Sequence, residues 1–217
     1  LDDTLDRPPR TLARDLRRQQ VIEATITTIA ARGLARLTLT DVARAAGISH
    51  GLVLFHFASK EKLLSETLEF MAEEYQRTRA ASLEAAGPRA ADRLLTLVEA
   101  DFHPALTTPA RIAAWCAFWG EAQSRPSYQR ICGERDAAYI RQMEETCAAL
   151  AEEGGYALNP AHAARILRLV IEGIWLDMVT VETPYSLDEA RKTVAAALSL
   201  CFPRHFAADR IALMPAP

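Results

Sequence analysis

The stretch TLTDVARAAGISHGLVLFHF, residues 38–57, leaves the chain little choice of local fold. It sets two helix starts and a glycine turn so close together that each helix is held to about two turns. Thr40 reads as the N-cap of a first short helix, DVARAA, in which Val42, Ala43 and Ala46 face inward, and Gly47 makes the tight turn that ends it. Ser49 reads as the cap of a second, HGLVLFHF. The alanines let the two helices approach closely. Ile48 and Val53 then plug a shared core, while Ser49, His50, Gly51 and Leu52 point outward from the start of the second helix.

So small a pair needs partners, and its neighbours repeat apolar residues at the helical period. A first helix is expected from about Asp15 to Arg32, with Val21, Ile22, Thr25, Ile26 and Ile29 on one face and Gly33 ending it. Ser59 caps a long helix, residues 60–86, that runs to the break at Gly87-Pro88 and carries Leu63, Leu64, Thr67, Leu68 and Met71 on one side. Further helices are expected over about 90–102, 109–124, 127–153, 160–182 and 189–202, the last two opened by Asn159-Pro160 and by the capping box Ser186 to Glu189. No convincing alternating strand appears, so the expected fold is all-α. It divides into an N-terminal arm (1–14), a three-helix unit with its helix-turn-helix (15–62) and a larger helical part (63–217). The helices at 160–182 and 187–201 are apolar on more than one face, which suggests a homodimer formed through an intermolecular four-helix bundle.

Charge enters through its distribution. The net charge of −3 alone argues against a polyanionic partner. Yet between Arg7 and Lys62 the bases Arg7, Arg10, Arg14, Arg17, Arg18, Arg32, Arg36, Arg44, Lys60 and Lys62 face only Asp15, Glu23, Asp41 and Glu61. Attraction to phosphate is local, on the scale of a Debye length of about 8 Å, so a basic head on an acidic body suits double-stranded DNA. The free N–H groups at the start of the second short helix favour phosphate, and side chains there reach base edges. His50 suits a base or phosphate contact, and His56, beside Phe55 and Phe57, suits either that or local packing. The Arg10 to Arg18 run reads as an arm along the DNA backbone or as a solvated tail.

The segment TLTDVARAAGISHGLVLFHFASKEKLL resembles the DNA-binding segment of the TetR family of bacterial repressors. Thr38, Val42, Ala43, Ala46, Gly47, Ser49, Gly51, His56, Phe57, Lys60, Glu61 and Leu63 stand where that family's pattern expects them. The resemblance implies that Lys60 contacts a backbone phosphate and that Thr40 and Ser49 help to anchor the motif. With Thr38, Arg44, His50, Gly51, Leu52 and His56, these form the expected DNA-binding set. Leu54 and Phe55 depart from the pattern, since many members carry tyrosines there that hydrogen-bond phosphates. AAWCAFWGEAQSRPSYQRICGERDAAYIRQM and VIEGIWLDMV are similar to the corresponding stretches of choline-responsive members of the family.

A small-molecule effector is therefore expected in the larger part. Trp115 and Trp119 lie one helical turn apart, with Phe102, Phe118, Tyr128 and Trp175 as neighbours and Glu121, Glu172 and Asp177 as candidate carboxylates. Aromatic faces with an acid nearby hold a quaternary ammonium by cation–π attraction. Core packing accounts for aromatic residues at helical spacing equally well, and Glu172 could instead pair with Arg168 one turn earlier. The effector would shift a dimer between an arrangement spaced for successive major grooves and one that is not.

Other classes find less support. Neither a glycine-rich phosphate loop after a strand nor a GxSxG elbow is present, which argues against an enzyme and implies no cofactor. Cys116, Cys132, Cys147 and Cys201 lack CxxC spacing, and His103, His162 and His205 lack a second ligand at metal spacing. The chain shows no membrane-length apolar run, and LDDTLDRPPR has no signal-like apolar stretch, so a cytoplasmic protein is expected. The competing reading is a helical binding module without DNA binding.

Overall fold

A computed structural model describes residues 10–206 except Tyr185, with side chains from Arg14 onward. Within these residues the chain forms α1 (Arg10–Arg36), α2 (Leu39–Ala45), α3 (His50–Phe57), α4 (Lys60–Glu84), α5 (Ala90–Ala100), α6 (Pro109–Gly120), α7 (Pro126–Gly154), α8 (Pro160–Thr180) and α9 (Leu187–Cys201), and no strand. Helix α1 starts before the expected Asp15, so residues 10–14 are helical; residues 1–9 of the expected arm lie outside the described part. Gly33, at φ 73°, breaks α1 three residues before its end.

One cap differs from expectation. Thr38, not Thr40, caps α2: its hydroxyl accepts from Asp41 N at 3.2 Å, which places Thr40 inside the first turn. Ser49, Ser59, Asn159 and Ser186 cap as expected. Gly47, at φ 65°, turns the chain between α2 and α3.

The first core gathers Val21, Ile22, Ile26 and Ile29 of α1, Val42 and Ala43 of α2, Val53 and Phe57 of α3, and Leu63 and Leu64 of α4. Three polar ties close it. Gln20 Nε2 donates to Ala46 O at 2.7 Å, Arg18 donates to His56 O at 2.5 Å, and Arg18 also pairs with Glu66 while lying over the Phe57 ring. Arg18 is thus an internal strut and not part of a free arm.

Helix α4 then leaves this unit and packs on α5 and α7; α8 lies against α6, α7 and α9. The two parts also meet where α1 packs on α6. There Arg111 of α6 holds Glu23 of α1 and Glu74 of α4, each at 2.9 Å, in one mostly buried clamp. Among the described residues no helix is long and apolar enough to cross a membrane.

Candidate nucleic-acid interface and effector cavity

The outer face of α3 is open. Ser49, His50 and Gly51 are exposed and Leu52 is half-buried. A Cβ built on Gly51 would meet nothing within 4 Å, so the chain's own packing does not require glycine there. A glycine inside a helix costs about 1 kcal/mol relative to alanine. Arg44 is exposed and only loosely held, 3.4 Å from Asp41, whose carboxyl is kept below its usual range by the Thr38 hydrogen bond and then by Arg32 and Arg44.

Two expected contact residues are engaged inward. Lys60 Nζ donates to Leu34 O at 3.0 Å and Ala35 O at 3.4 Å, closing the broken end of α1. His56 is half-buried beside the Phe55 ring; burial first, and then Arg18, Arg14 and Arg17, lower its pKa and keep it neutral near pH 7. Phe55 stands 74% exposed and Leu54 beside it is also exposed, which leaves an apolar edge on a helix otherwise suited to phosphate.

The second site is a cavity of about 640 Å³ enclosed by α4, α6, α7 and α8 and the end of α5. That is within the range of small-molecule sites, about 300–1,000 Å³. Trp115, Trp119, Tyr128, Glu172 and Trp175 all line it. Trp119 and Trp175 stack at 5.9 Å between centroids, Trp115 lies 6.3 Å from Trp119, and Tyr75 meets Trp115 and Trp175 edge-on. Packing and lining are thus the same residues. Phe102 and Phe118 are fully buried in the surrounding core and do not reach the cavity. Glu121 is drawn away by Arg125, at 2.6 Å, and Asp177, two residues past Trp175 on α8, is not part of the lining. Glu172 does pair with Arg168, at 2.5 Å, while still lining the cavity.

Sequence reasoning missed the cavity's polar centre. Asp101, fully buried just past α5, accepts from Tyr75 Oη and from Tyr139 Oη, the latter at 2.8 Å. Burial raises its pKa; the nearby Arg79 and the two hydroxyls oppose that rise. Arg79 lies over the Tyr139 ring, 3.6 Å from the centroid, and 5.3 Å from that of Tyr75. The one available signal was Tyr75 and Arg79 at i and i+4 on α4, beside an acid in the apolar run LVEADF. Among the described residues no cluster of three or more His, Cys, Asp or Glu could hold a metal.

A helix-turn-helix on a three-helix unit, joined by one long helix to a body that encloses a ligand-sized cavity, defines a ligand-responsive transcriptional regulator. Residues 21–67 match the bacterial regulatory proteins of the tetR family, and residues 90–203 match the C-terminal part of the BetI-type transcriptional repressors. The chain is 32% identical to the HTH-type transcriptional regulator BetI of Agrobacterium fabrum over 81% of its length and 82% of the relative's. It is 34% identical to BetI of Paraburkholderia phymatum over 77% of its length and 84% of the relative's. A proposed transcriptional regulator of Saccharomonospora viridis, solved in complex with choline, shares the fold at a TM-score of 0.74 and 22% identity, covering 85% of this chain and 96% of that one. The chain therefore belongs to the TetR family of bacterial transcriptional regulators, in its BetI-type branch, and its relatives are regulators, not enzymes.

Proposed function

We propose that this regulator represses transcription as a homodimer on an inverted-repeat operator and is released when a quaternary ammonium compound, of which choline is the first to test, enters the cavity. The observation that carries this reading is the cavity lining, which sets three tryptophans and three tyrosines among four carboxylates, Glu84, Asp101, Asp136 and Glu172. Such a lining favours a compact, weakly hydrated cation over an anion or a neutral sugar. The choline complex of the Saccharomonospora viridis regulator supports the same ligand class.

In this reading residues 15–62 are the DNA-binding domain and 63–217 the domain for ligand and dimer. The exposed residues of α3, with Thr38, Thr40 and Arg44, touch DNA, and Lys60 and His56 support α3 from behind. Ile166, Leu169, Leu176 and Val179 form an exposed apolar stripe on α8, continued by Leu200 of α9, and this stripe is the dimer face. Effector in the cavity moves α4, which carries Tyr75, and the Glu23–Arg111–Glu74 clamp passes that movement to α1 and so to the spacing of the two α3 helices.

Selection of genomic fragments by the purified protein at stated salt tests this function. Enrichment of an inverted repeat, with choline releasing the bound fragments, is the expected result. Failure to enrich any sequence, with or without quaternary amines, would remove the repressor reading and leave a helical binding module. Leu169→Arg is expected to yield monomers in sedimentation and to lose the operator.

A further inference from the structure

The cavity's best cation seat is already taken by the protein itself. Arg79 is only 9% exposed and lines the cavity, yet among the described residues it makes no ion pair and its Nε has no hydrogen-bond partner. A buried charge without a paired partner is costly, so something else must hold it. What holds it is the pair of tyrosine faces together with the Asp101 charge behind them. Both tyrosine hydroxyls donate to Asp101, which draws their protons toward the acid and makes the ring faces more electron-rich. Aromatic faces, a buried anion and exclusion of water are what a quaternary ammonium would need, and a guanidinium uses all three.

We infer that Arg79 is a resident competitor for the cation seat, so that the effector binds by exchanging one cation for another. This rests on the proposal that the effector is a quaternary ammonium. Arg79 has a long stem, and Asp136 and Glu172 on the same lining give a displaced guanidinium somewhere to go. The exchange sets selectivity, because a ligand too weakly cationic to outbid Arg79 is refused. It also starts the switch: Arg79 sits on α4 little more than one turn beyond Glu74, so its departure alters the helix that the Arg111 clamp ties to α1.

The three tryptophans of the chain all line the cavity, so its tryptophan fluorescence reads binding there. The titration compares wild type, Arg79→Met and Arg79→Gln, each with choline and with its neutral isostere, in which carbon replaces the quaternary nitrogen. Removing the competitor is expected to tighten choline binding about tenfold or more in both variants, with little change for the isostere. Both variants are expected to fold, since an unpaired buried charge is removed, and circular dichroism checks this; if Arg79→Met does not fold, Arg79→Gln carries the comparison. Choline binding that is unchanged or weakened in the folded variants, while the wild type responds, would overturn the exchange and leave the quaternary-ammonium reading standing. Equal tightening for the isostere would also overturn it, since added room and not removed charge would then be the cause. No response from any of the three proteins would overturn both.

Discussion

The helix-turn-helix and the cavity handle charge in opposite ways. On α2 and α3, Arg44 and His50 stand exposed, and the groups that would meet DNA are left free of strong internal partners. At the cavity's centre the ionic groups are buried or half-buried and mutually committed: Asp101 to two tyrosines, Arg79 to the same two rings, Glu172 to Arg168. An exposed interface is cheap to keep ready and acts through salt-dependent contacts. A buried site is costly to keep charged and therefore holds its charges in a closed set that a ligand must enter by rearrangement. Between the two regions stand residues that belong to neither, Glu23, Arg111 and Glu74, and in the proposed mechanism the coupling runs through them.

The largest expected effect comes from the open side. Gly51→Leu meets no atom of the chain, so melting temperature should hold or rise slightly, while operator affinity falls about a hundredfold or more because the side chain occupies the space DNA would take. Anisotropy and thermal melting separate the two; a variant that still binds would break the contrast by showing that α3 does not approach DNA closely.

Asp101→Asn probes the closed side. With the competing guanidinium removed by Arg79→Met, the further change Asp101→Asn should lower choline affinity about tenfold or more while operator binding is kept. The folded-state pKa of Asp101 is raised above 3.8, so the group stabilises the fold at low pH and that contribution is lost as pH rises from 3.8 through the folded value. Wild type should therefore lose stability relative to Asp101→Asn over that rise. Melting curves across acid pH check the sign, and a variant that becomes relatively less stable as pH rises would contradict it.

Legibility followed the same divide. The helix-turn-helix could be read because its signals sit within a few residues of one another: Ser49 and Ser59 as caps, Gly47 as the turn, Ala43 and Ala46 as the close contact. Even there Thr38 and Thr40 both offered a hydroxyl, and only the backbone path decided for Thr38, whose own residue is extended while Thr40 is helical. The cavity draws on residues from Ala72 to Trp175, on five elements. The tryptophans were visible by their spacing, but which acid they would surround depended on where α5 ends relative to α4 and α7. Glu121 and Asp177 were candidate carboxylates by their place near the aromatic residues, and neither is part of the lining. Lys60 fitted a phosphate contact by resemblance, and its bond to Leu34 O depends on the break at Gly33.

Arg111→Met tests the connection. The clamp is partly exposed through Glu23, so its loss should cost about 1–2 kcal/mol in stability. Choline should still bind, but a given occupancy should release less DNA. Unaltered release would show that the coupling runs by another path. The smallest effect is expected from Phe55→Tyr, which adds a hydroxyl to the exposed edge of α3 and should tighten operator binding severalfold, about 1 kcal/mol, with the salt dependence unchanged because a neutral hydroxyl releases no counterion.

The central claim is that occupancy of the buried site empties the exposed one. Its most direct test is to titrate choline into the protein bound to a labelled operator at fixed salt, following tryptophan fluorescence and DNA anisotropy in the same sample. The account predicts that both signals change together, with tryptophan response and DNA release sharing one midpoint. A tryptophan response with the operator still bound would contradict it.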